Sequence, residues 1–373
     1  MHLLDATMFW SRTGGGVGRY LREKQNWIAG HTAWTHTIVT PFVDAYSGVA
    51  VPSWPLPGSG GYRLPWNRTA AAQQIEAQAP DLIEADDPYR LAWSVLDAGQ
   101  RLGVPTVAFC HSNLERLAAS HAGGVAGRLA RAYAARLYRR FDRVYAPSRA
   151  MVDHLLDWGV ERVFHQPLGV DTRMFRPCAG DGRWRVRLGL PANARLLVYA
   201  GRYAAEKHLD VLSAAVARLG PRYWLVAAGG GPRPPRGERV VRIGYLRSAR
   251  EMARLLAEVD AFVHAGDQET FGLGVLESLA CGTPVVARQA EGLAELVDGS
   301  VGAAVPAGTC AAFAEAIHAV CVRPSPERAE AARRRALAYD WGRVLPALCR
   351  SYEHLLGHPA PRTPAWAGLQ HAG

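Results

Sequence analysis

Apolar runs rich in strand-forming residues alternate with helical patterns along the chain, and this alternation limits the possible folds more than any other feature. The runs HLLDAT, HTIVTPF, DLIEA, VPTVAFC and RVYAPS are followed by RLLVYAG, YWLVAAGGG, RVVRIGY, AFVHAG and TPVVAR, bounded by turn residues. Between many of them lie helical patterns such as HLDVLSAAVARLG, in which Leu209, Leu212, Val216 and Leu219 share one face. Strand and helix alternating twice over predict two α/β domains, each on a parallel sheet. A chain of 373 residues has room for two such cores. The segment HQPLGVDTRMFRPCAGDG, 165–182, carries two prolines and three glycines without a period and is the expected linker. The Pro, Gly and Ala-rich tail, 358–373, is expected to fray.

With 49% hydrophobic and 20% charged residues, the composition is that of a globular chain. No apolar run is long enough to cross a bilayer, and MHLLDATMFW lacks the basic region, long apolar core and cleavage site of a leader, so a cytoplasmic protein is expected. Six cysteines are scattered without a C-x-x-C pair or a His at ligand spacing, which predicts reduced, packed thiols and no metal. A formal charge of +10 asks for an anionic partner. Outside RRR (333–335) and YRRFDR (138–143) the basic residues do not cluster, which argues for a nucleotide and against nucleic acid. Only Lys24 and Lys207 among the 43 basic residues are lysine, which draws attention to both.

Open parallel sheets bind ligands beyond the carboxyl ends of their strands, and two facing sheets make a cleft. AFVHAG runs through the loop DQETFG into a helix expected from Leu273 to Ala280, whose free N–H groups and positive dipole end suit a phosphate. Glu269 precedes that end and Glu277 lies one turn beyond it, about 12 Å apart if helical rise applied throughout. Two hydroxyl-reading carboxylates would thus straddle one diphosphate seat; the competing reading makes Glu277 a solvated helix-face residue. RLLVYAG runs into Arg202, and Lys207 opens the next helix, where a cation opposes the dipole unless an anion is near. Arg202 and Lys207 together would clamp a diphosphate, whereas the ordinary alternative pairs Lys207 with Glu206 or Asp210.

In SRTGGGVGRY (11–20), Gly14, Gly16 and Gly18 depart from the dinucleotide spacing G-x-G-x-x-G, so the segment reads as a flexible loop that lets substrate approach the backbone. His111 ends the strand VPTVAFC on the ligand-binding edge, as a site residue or as a structural hydrogen-bonding group. EADDP (84–88) resembles an acidic metal pair but also closes a strand before Pro88, and metal is not expected there. AAGGGP (227–232) is read as a tight turn.

The combination resembles the family 4 glycosyltransferases. It is carried by E-x7-E at Glu269 and Glu277, GR at 201–202 with Lys207, APS at 146–148, LGVDTRMFRP at 168–177, GGGP at 229–232 and ESLACGTPVVA at 277–287. The resemblance implies a retaining, metal-independent enzyme of GT-B architecture. Two Rossmann-like domains, 1–166 for the acceptor and 167–340 for the donor, would face across a cleft, and a helix at 341–357 would return to the first domain. It implies that Gly201, Arg202 and Lys207 hold the donor diphosphate, that Glu277 binds the ribose, and that Glu269 with the amides around Phe271, Gly272 and Leu273 addresses sugar and phosphate. Gly15 and Gly16 would close near the phosphate, and His111 would contact the transferred sugar. Two positions depart from the family pattern: Leu168 stands where Asn is frequent, and EGLAE (291–295) replaces a double glycine before Glu295.

Looser similarity of SRTGGGVGRYLREK, DLIEADDPY and AFCHS to GDP-mannose-dependent mannosyltransferases favours mannose. The substrates expected are therefore a nucleotide sugar, GDP-mannose or a UDP-hexose, and a glycan or lipid-linked acceptor, with no cofactor beyond the donor. A nucleotide-sugar 2-epimerase of the same architecture is the enzymatic rival, and a basic nucleic-acid-binding module the non-enzymatic one. The aromatic, basic segments 59–68 and 131–143 would rest on an anionic membrane if the acceptor is lipid-linked; the plainer reading makes the latter an ordinary helix with solvated arginines.

Overall fold

The computed structural model describes residues 1–10, 15–42, 44, 48–55, 62–178 and 182–357. Residues 11–14, which include Gly14 of the glycine loop, lie outside the described residues, as do 59–61, part of the linker at 179–181, and the tail. Strands in the first half are β1 (His2–Ala6), β2 (Thr35–Thr40), β3 (Val49–Ala50), β4 (Ser53–Pro55), β5 (Arg63–Pro65), β6 (Leu82–Ala85), β7 (Thr106–Phe109), β8 (Arg143–Ala146) and β9 (Val163–His165). The second half holds β10 (Arg195–Arg202), β11 (Tyr223–Gly230), β12 (Val240–Gly244), β13 (Ala261–His264), β14 (Val285–Arg288) and β15 (Gly302–Val305). Helices of the first half are α1 (Gly16–His31), α2 (Arg68–Glu76), α3 (Arg90–Leu102), α4 (Leu114–Tyr138) and α5 (Arg149–Asp157). They are followed by α6 (Arg183–Arg187), α7 (Leu209–Leu219), α8 (Ala249–Glu258), α9 (Leu273–Ala280), α10 (Leu293–Leu296), α11 (Cys310–Val322), α12 (Pro326–Leu337) and α13 (Trp341–Leu355).

The strands form two parallel sheets, ordered β3-β2-β1-β6-β7-β8-β9 and β12-β11-β10-β13-β14-β15, while β4 pairs antiparallel with β5. The chain thus has two Rossmann-like domains. The strand order reverses between β1 and β6 in one sheet and between β10 and β13 in the other, and the crevice beyond such a switch point is where α/β sheets take ligands.

Alternation along each strand sorts its side chains between two helical layers. In the first domain Leu4, Ala6, Ile83, Ala85, Ala108 and Cys110 pack with α3 on one face. Leu3, Leu82, Val107 and Phe109 face the residues Tyr20, Leu21 and Ile28 of α1 and Leu348 and Tyr352 of α13. That second cluster continues through Trp341 and Leu345 to Val275, Leu276 and Leu293 of the second domain. The last helix therefore crosses back onto the first domain, and Arg143 Nη1 donates to the Ser351 carbonyl at 2.7 Å.

Local signals explain several boundaries. Asn67, Asn113, Ser148, Ser248, Thr309 and Ser325 each accept a first-turn N–H at the start of a helix. Helix α4 is broken at Gly123, whose φ is 82°. Among the described residues, no helix is long and apolar enough to cross a membrane. All six cysteines are free, but Cys178 is exposed and Cys310 only half-buried, so the expected packing of thiols holds for the other four.

Candidate active site

Strand β10 ends at Gly201 and Arg202, beside the end of β11. The two strand ends approach so closely that a Cβ on Gly229 would lie 1.9 Å from the Gly201 carbonyl oxygen, so the AAGGGP turn is a packing requirement of this edge. The Arg202 guanidinium is 63% exposed and donates to Glu206 at 3.0 Å. Beyond it the chain makes a 3-10 turn, Ala205–Lys207, and His208 adopts a left-handed φ of 47° before α7 begins. Lys207 thus precedes the helix and does not open it, and its partner is neither Glu206 nor Asp210. Its Nζ donates to Glu269 Oε1 at 2.6 Å, across 62 positions of sequence.

Glu269 lies in the loop after β13, and His264 at the end of that strand stands 3.5 Å from the same oxygen. The Gly266 N–H donates to His264 Nδ1 at 3.2 Å, which leaves Nε2–H to face the carboxylate. Burial alone would raise the Glu269 pKa, but Lys207 and His264 outweigh it and hold the carboxyl far below its usual range. His264 escaped the sequence reading because a single His in an apolar strand carries no spacing signal.

Helix α9 begins where predicted, and no side chain caps it. Its N-cap, Gly272, has φ 102°, and a Cβ there would lie 2.7 Å from Leu293 Cδ2. Phe271 packs edge to face with Tyr339 at 5.8 Å and is 4% exposed, so what it offers a ligand is backbone. Facing this end is the start of α1, likewise without a side-chain cap after Gly15. A Cβ on Gly16 would lie 3.4 Å from Leu273 Cδ1, and one on Gly15 3.4 Å from Tyr62 Oη. Two helix N-termini, one from each domain, therefore meet, and the first-turn amides and dipole end of each suit an anion.

One turn down from these ends, Arg19 of α1 forms an ion pair with Glu277 of α9. Glu277 is buried, 4% exposed, which removes the solvated-face reading. The E-x7-E pattern carried no hint of Arg19, because the contact spans the two domains.

On the first domain, His111 follows β7 and stacks on Phe109 at 4.3 Å. Its carbonyl accepts a hydrogen bond from Thr270 Oγ1 at 2.9 Å, bringing it beside the loop that carries Glu269. Burial first, then the charge of Lys24, pushes the His111 pKa down to about 3, so the ring is neutral. Behind it, Asp86 Oδ1 is 3.3 Å from His111 Nε2. EADDP thus closes a strand and also supplies buried carboxyls. The departure at 291–295 has structural consequences: Glu291 holds Arg116 and His154 of the first domain, and Glu295 accepts the Ala150 N–H at 3.1 Å.

The structure thus brings Gly15, Gly16, Gly201, Arg202, Lys207, Glu269, Phe271, Gly272, Leu273, Glu277 and His111 to facing edges of the two sheets. Such a site can receive a diphosphate between two helix ends and two cations, with carboxylates beside it for hydroxyl groups.

Comparison with known proteins agrees with this fold. A family model described as Glycosyltransferase Family 4 matches residues 14–173, and one described as Glycosyl transferases group 1 matches 194–322. A GDP-mannose-dependent alpha-mannosyltransferase of Mycobacterium tuberculosis is 34% identical over 283 residues, 75% of this chain and 72% of that protein. A GDP-mannose-dependent alpha-(1-6)-phosphatidylinositol dimannoside mannosyltransferase of the same species is 33% identical over 306 residues, 79% of each chain. Among solved structures, sucrose-phosphate synthase from Thermosynechococcus elongatus superposes with a TM-score of 0.80 at 20% identity, covering 95% of this chain and 99% of that one. Anabaena HepE in complex with UDP and glucose superposes with a TM-score of 0.76 at 19% identity, covering 94% and 99%. Motifs, two-domain architecture and relatives agree, and the chain belongs to the family 4 glycosyltransferases of GT-B fold.

Proposed function

We propose that this enzyme transfers mannose from GDP-mannose to a hydroxyl of a glycan or lipid-linked acceptor, with retention of configuration. The donor assignment is supported by the relatives, which are named GDP-mannose-dependent mannosyltransferases. The observation that carries the chemistry is the placing of Lys207, with Arg202 nearby, beside the uncapped end of α9. Negative charge grows on the leaving diphosphate in the transition state, and cations and amides already in place stabilise it without reorganisation.

In this reading the ribose hydroxyls take Glu277, and Arg19 exchanges that carboxylate for the donor. Glu269, ionised and held by Lys207 and His264, accepts hydrogen bonds from the sugar. The acceptor hydroxyl attacks from the face of the departing phosphate, which takes its proton, so neither a covalent nucleophile nor a metal is required. Closure of the domains excludes water and limits hydrolysis.

The acceptor is met by the first domain. On α4, Val125, Leu129 and Tyr133 are 62%, 67% and 37% exposed along one helical face, and Trp54 and Trp66 are 68% and 50% exposed. With the arginines of 128–140 these residues suit an anionic bilayer on the cytoplasmic side. Pelleting with anionic but not neutral liposomes tests this, and no lipid-dependent pelleting removes it.

The decisive experiment compares GDP, UDP, ADP and their sugars by thermal shift, followed by NMR of the product anomer. Selective stabilisation by GDP and GDP-mannose with an α-linked product is expected. A UDP preference would favour a UDP-hexose donor, a β-linked product would overturn retention, and turnover without acceptor would favour the epimerase.

A further inference from the structure

Beneath His111 lies a buried charge cluster that the transfer reaction does not use. Asp5 and Glu84 are register partners on β1 and β6, and Asp86 follows Glu84 by one strand period. All three are 0% exposed, and a carboxylate oxygen from each lies within 4.8 Å of the others. The space is filled by Lys24, whose Nζ donates to Asp5 at 2.9 Å and to Glu84 at 3.0 Å. Asp5 also bonds His36 Nε2 at 2.7 Å. Glu84 accepts from Tyr20 Oη at 3.0 Å and from Tyr352 Oη of α13.

Asp86 accepts no hydrogen bond from Lys24, Tyr20 or Tyr352. Among the described residues its Oδ1 reaches only His111 Nε2, and its Oδ2 has no partner. Three carboxyls crowd around the one ammonium of Lys24 and the ring of His36 in a buried setting, and an uncompensated buried charge is the costliest arrangement available. One proton removes it. That proton belongs on the carboxyl with the fewest donors: against burial, Lys24 and His36 hold Asp5 below the ordinary carboxyl range, and although burial raises Glu84, Lys24 and Tyr352 oppose that rise. Burial first, then the charges of Asp5 and Glu84, drives the Asp86 pKa well above the ordinary carboxyl range, with Lys24 opposing and Asp87 adding to the rise.

We propose that Asp86 is a neutral carboxylic acid that donates to His111 Nε2 and thereby fixes the proton of His111 on Nδ1. This rests on the reading of the cleft as a sugar-transfer site. A ring nitrogen that accepts a hydrogen bond carries no proton, so the neutral imidazole must be the Nδ1–H tautomer. Nδ1 makes no hydrogen bond among the described residues and is the nitrogen free to meet a ligand. His111 is then an uncharged donor toward a hydroxyl oxygen of the transferred sugar and is not a general base. Asp86 is its positioning residue, assisted by the stack on Phe109. An ionised Asp86 would instead require Nε2–H and leave Nδ1 an acceptor. The Asp86 Oδ2 left bare is, in the neutral acid, a carbonyl oxygen, a lesser penalty than a bare donor.

The test is a long-range proton–nitrogen correlation spectrum of the full chain labelled with nitrogen-15 histidine, assigned by loss of the His111 signals in His111→Gln. A protonated Nδ1 with a bare Nε2 at pH 7.5 is expected; a protonated Nε2, or an imidazolium, overturns the proposal. In kinetics, Asp86→Ala should lower kcat by about 10- to 100-fold, as misplacement of a positioned group does, with donor KM little changed. Asp86→Asn, which also offers a donor without charge, should restore most of that loss, and failure to do so counts against the neutral acid. The spectrum needs neither donor nor acceptor, so a wrong sugar leaves it standing, and a wrong tautomer leaves the transferase assignment standing.

Discussion

Lys207 and Glu269 form a charged pair 2.6 Å apart, yet in the proposed transfer Lys207 is the residue on which the transition state depends most. Its partner neutralises it in the ground state, and the incoming diphosphate offers a stronger anion. Lys207→Ala is expected to remove about 2 to 4 kcal/mol of transition-state stabilisation, the range for deleting one charge-stabilising donor. In kcat/KM that is a fall of about 30- to 900-fold. Wild-type turnover of this variant at saturating donor would show that the ammonium does not meet the leaving group. Lys207 was legible in the sequence as a rare lysine in an arginine-rich chain, but its partner was not, because Glu206 and Asp210 were nearer along the chain.

At the scale of elements, the proposed donor seat is the meeting of two helix starts, and its geometry depends on glycine. Gly272 combines a φ of 102° with a Cβ position 2.7 Å from Leu293 Cδ2. Gly272→Ala should therefore cost about 1 to 3 kcal/mol in urea unfolding. It should also raise donor KM, because the first amides of α9 shift with their cap. Unchanged stability would mean that the loop relaxes without strain. The return of α13 is anchored by a buried hydrogen bond, Tyr352 Oη to Glu84. Tyr352→Phe should lower stability by about 1 to 3 kcal/mol, the penalty for a buried acceptor deprived of its donor. An equal loss in a Glu84→Gln background would show that the two residues are not coupled.

At the scale of the molecule, the domains are held together at the 291–295 loop. Glu291 adopts a left-handed φ of 48° where the family pattern has glycine, and from there bonds Arg116 and His154 of the first domain. Around this junction lie Glu115, Asp267, which is 3.9 Å from Arg116, and the nearby Glu295. The hydrogen bond that His154 donates to Glu291 raises the histidine above its ordinary 6.5, against burial and Arg116. Burial alone would raise Glu291, but His154 and Arg116 hold it below its ordinary 4.5. A raised histidine contributes fully below its unfolded value and loses that contribution as pH rises through the folded one; a depressed carboxylate loses its contribution as pH falls below 4.5. Closure should thus be tightest between about pH 4.5 and 6.5 and relax above neutrality, seen as a larger radius of gyration in small-angle scattering. His154→Ala should abolish the alkaline limb, and an unchanged pH profile in that variant would show that the junction does not govern closure.

What the sequence determined by itself was whatever short-range pattern encodes: the alternation of strand and helix, the start of α9 after a glycine, and the E-x7-E spacing that names the family. Periodicity and capping act within a few residues, so they survive in a linear reading. Only the tertiary structure decided which charges meet. Lys207 with Glu269, Arg19 with Glu277, Glu291 with Arg116 and His154, and Lys24 among Asp5, Glu84 and Asp86 join residues far apart in the chain. One trace of the last was visible: acidic residues on the inward positions of the apolar runs HLLDAT and DLIEADD, and the second rare lysine. Coulombic partners are chosen by distance in space, after sheets and crossovers have set which strand ends lie side by side, and no local periodicity carries that information.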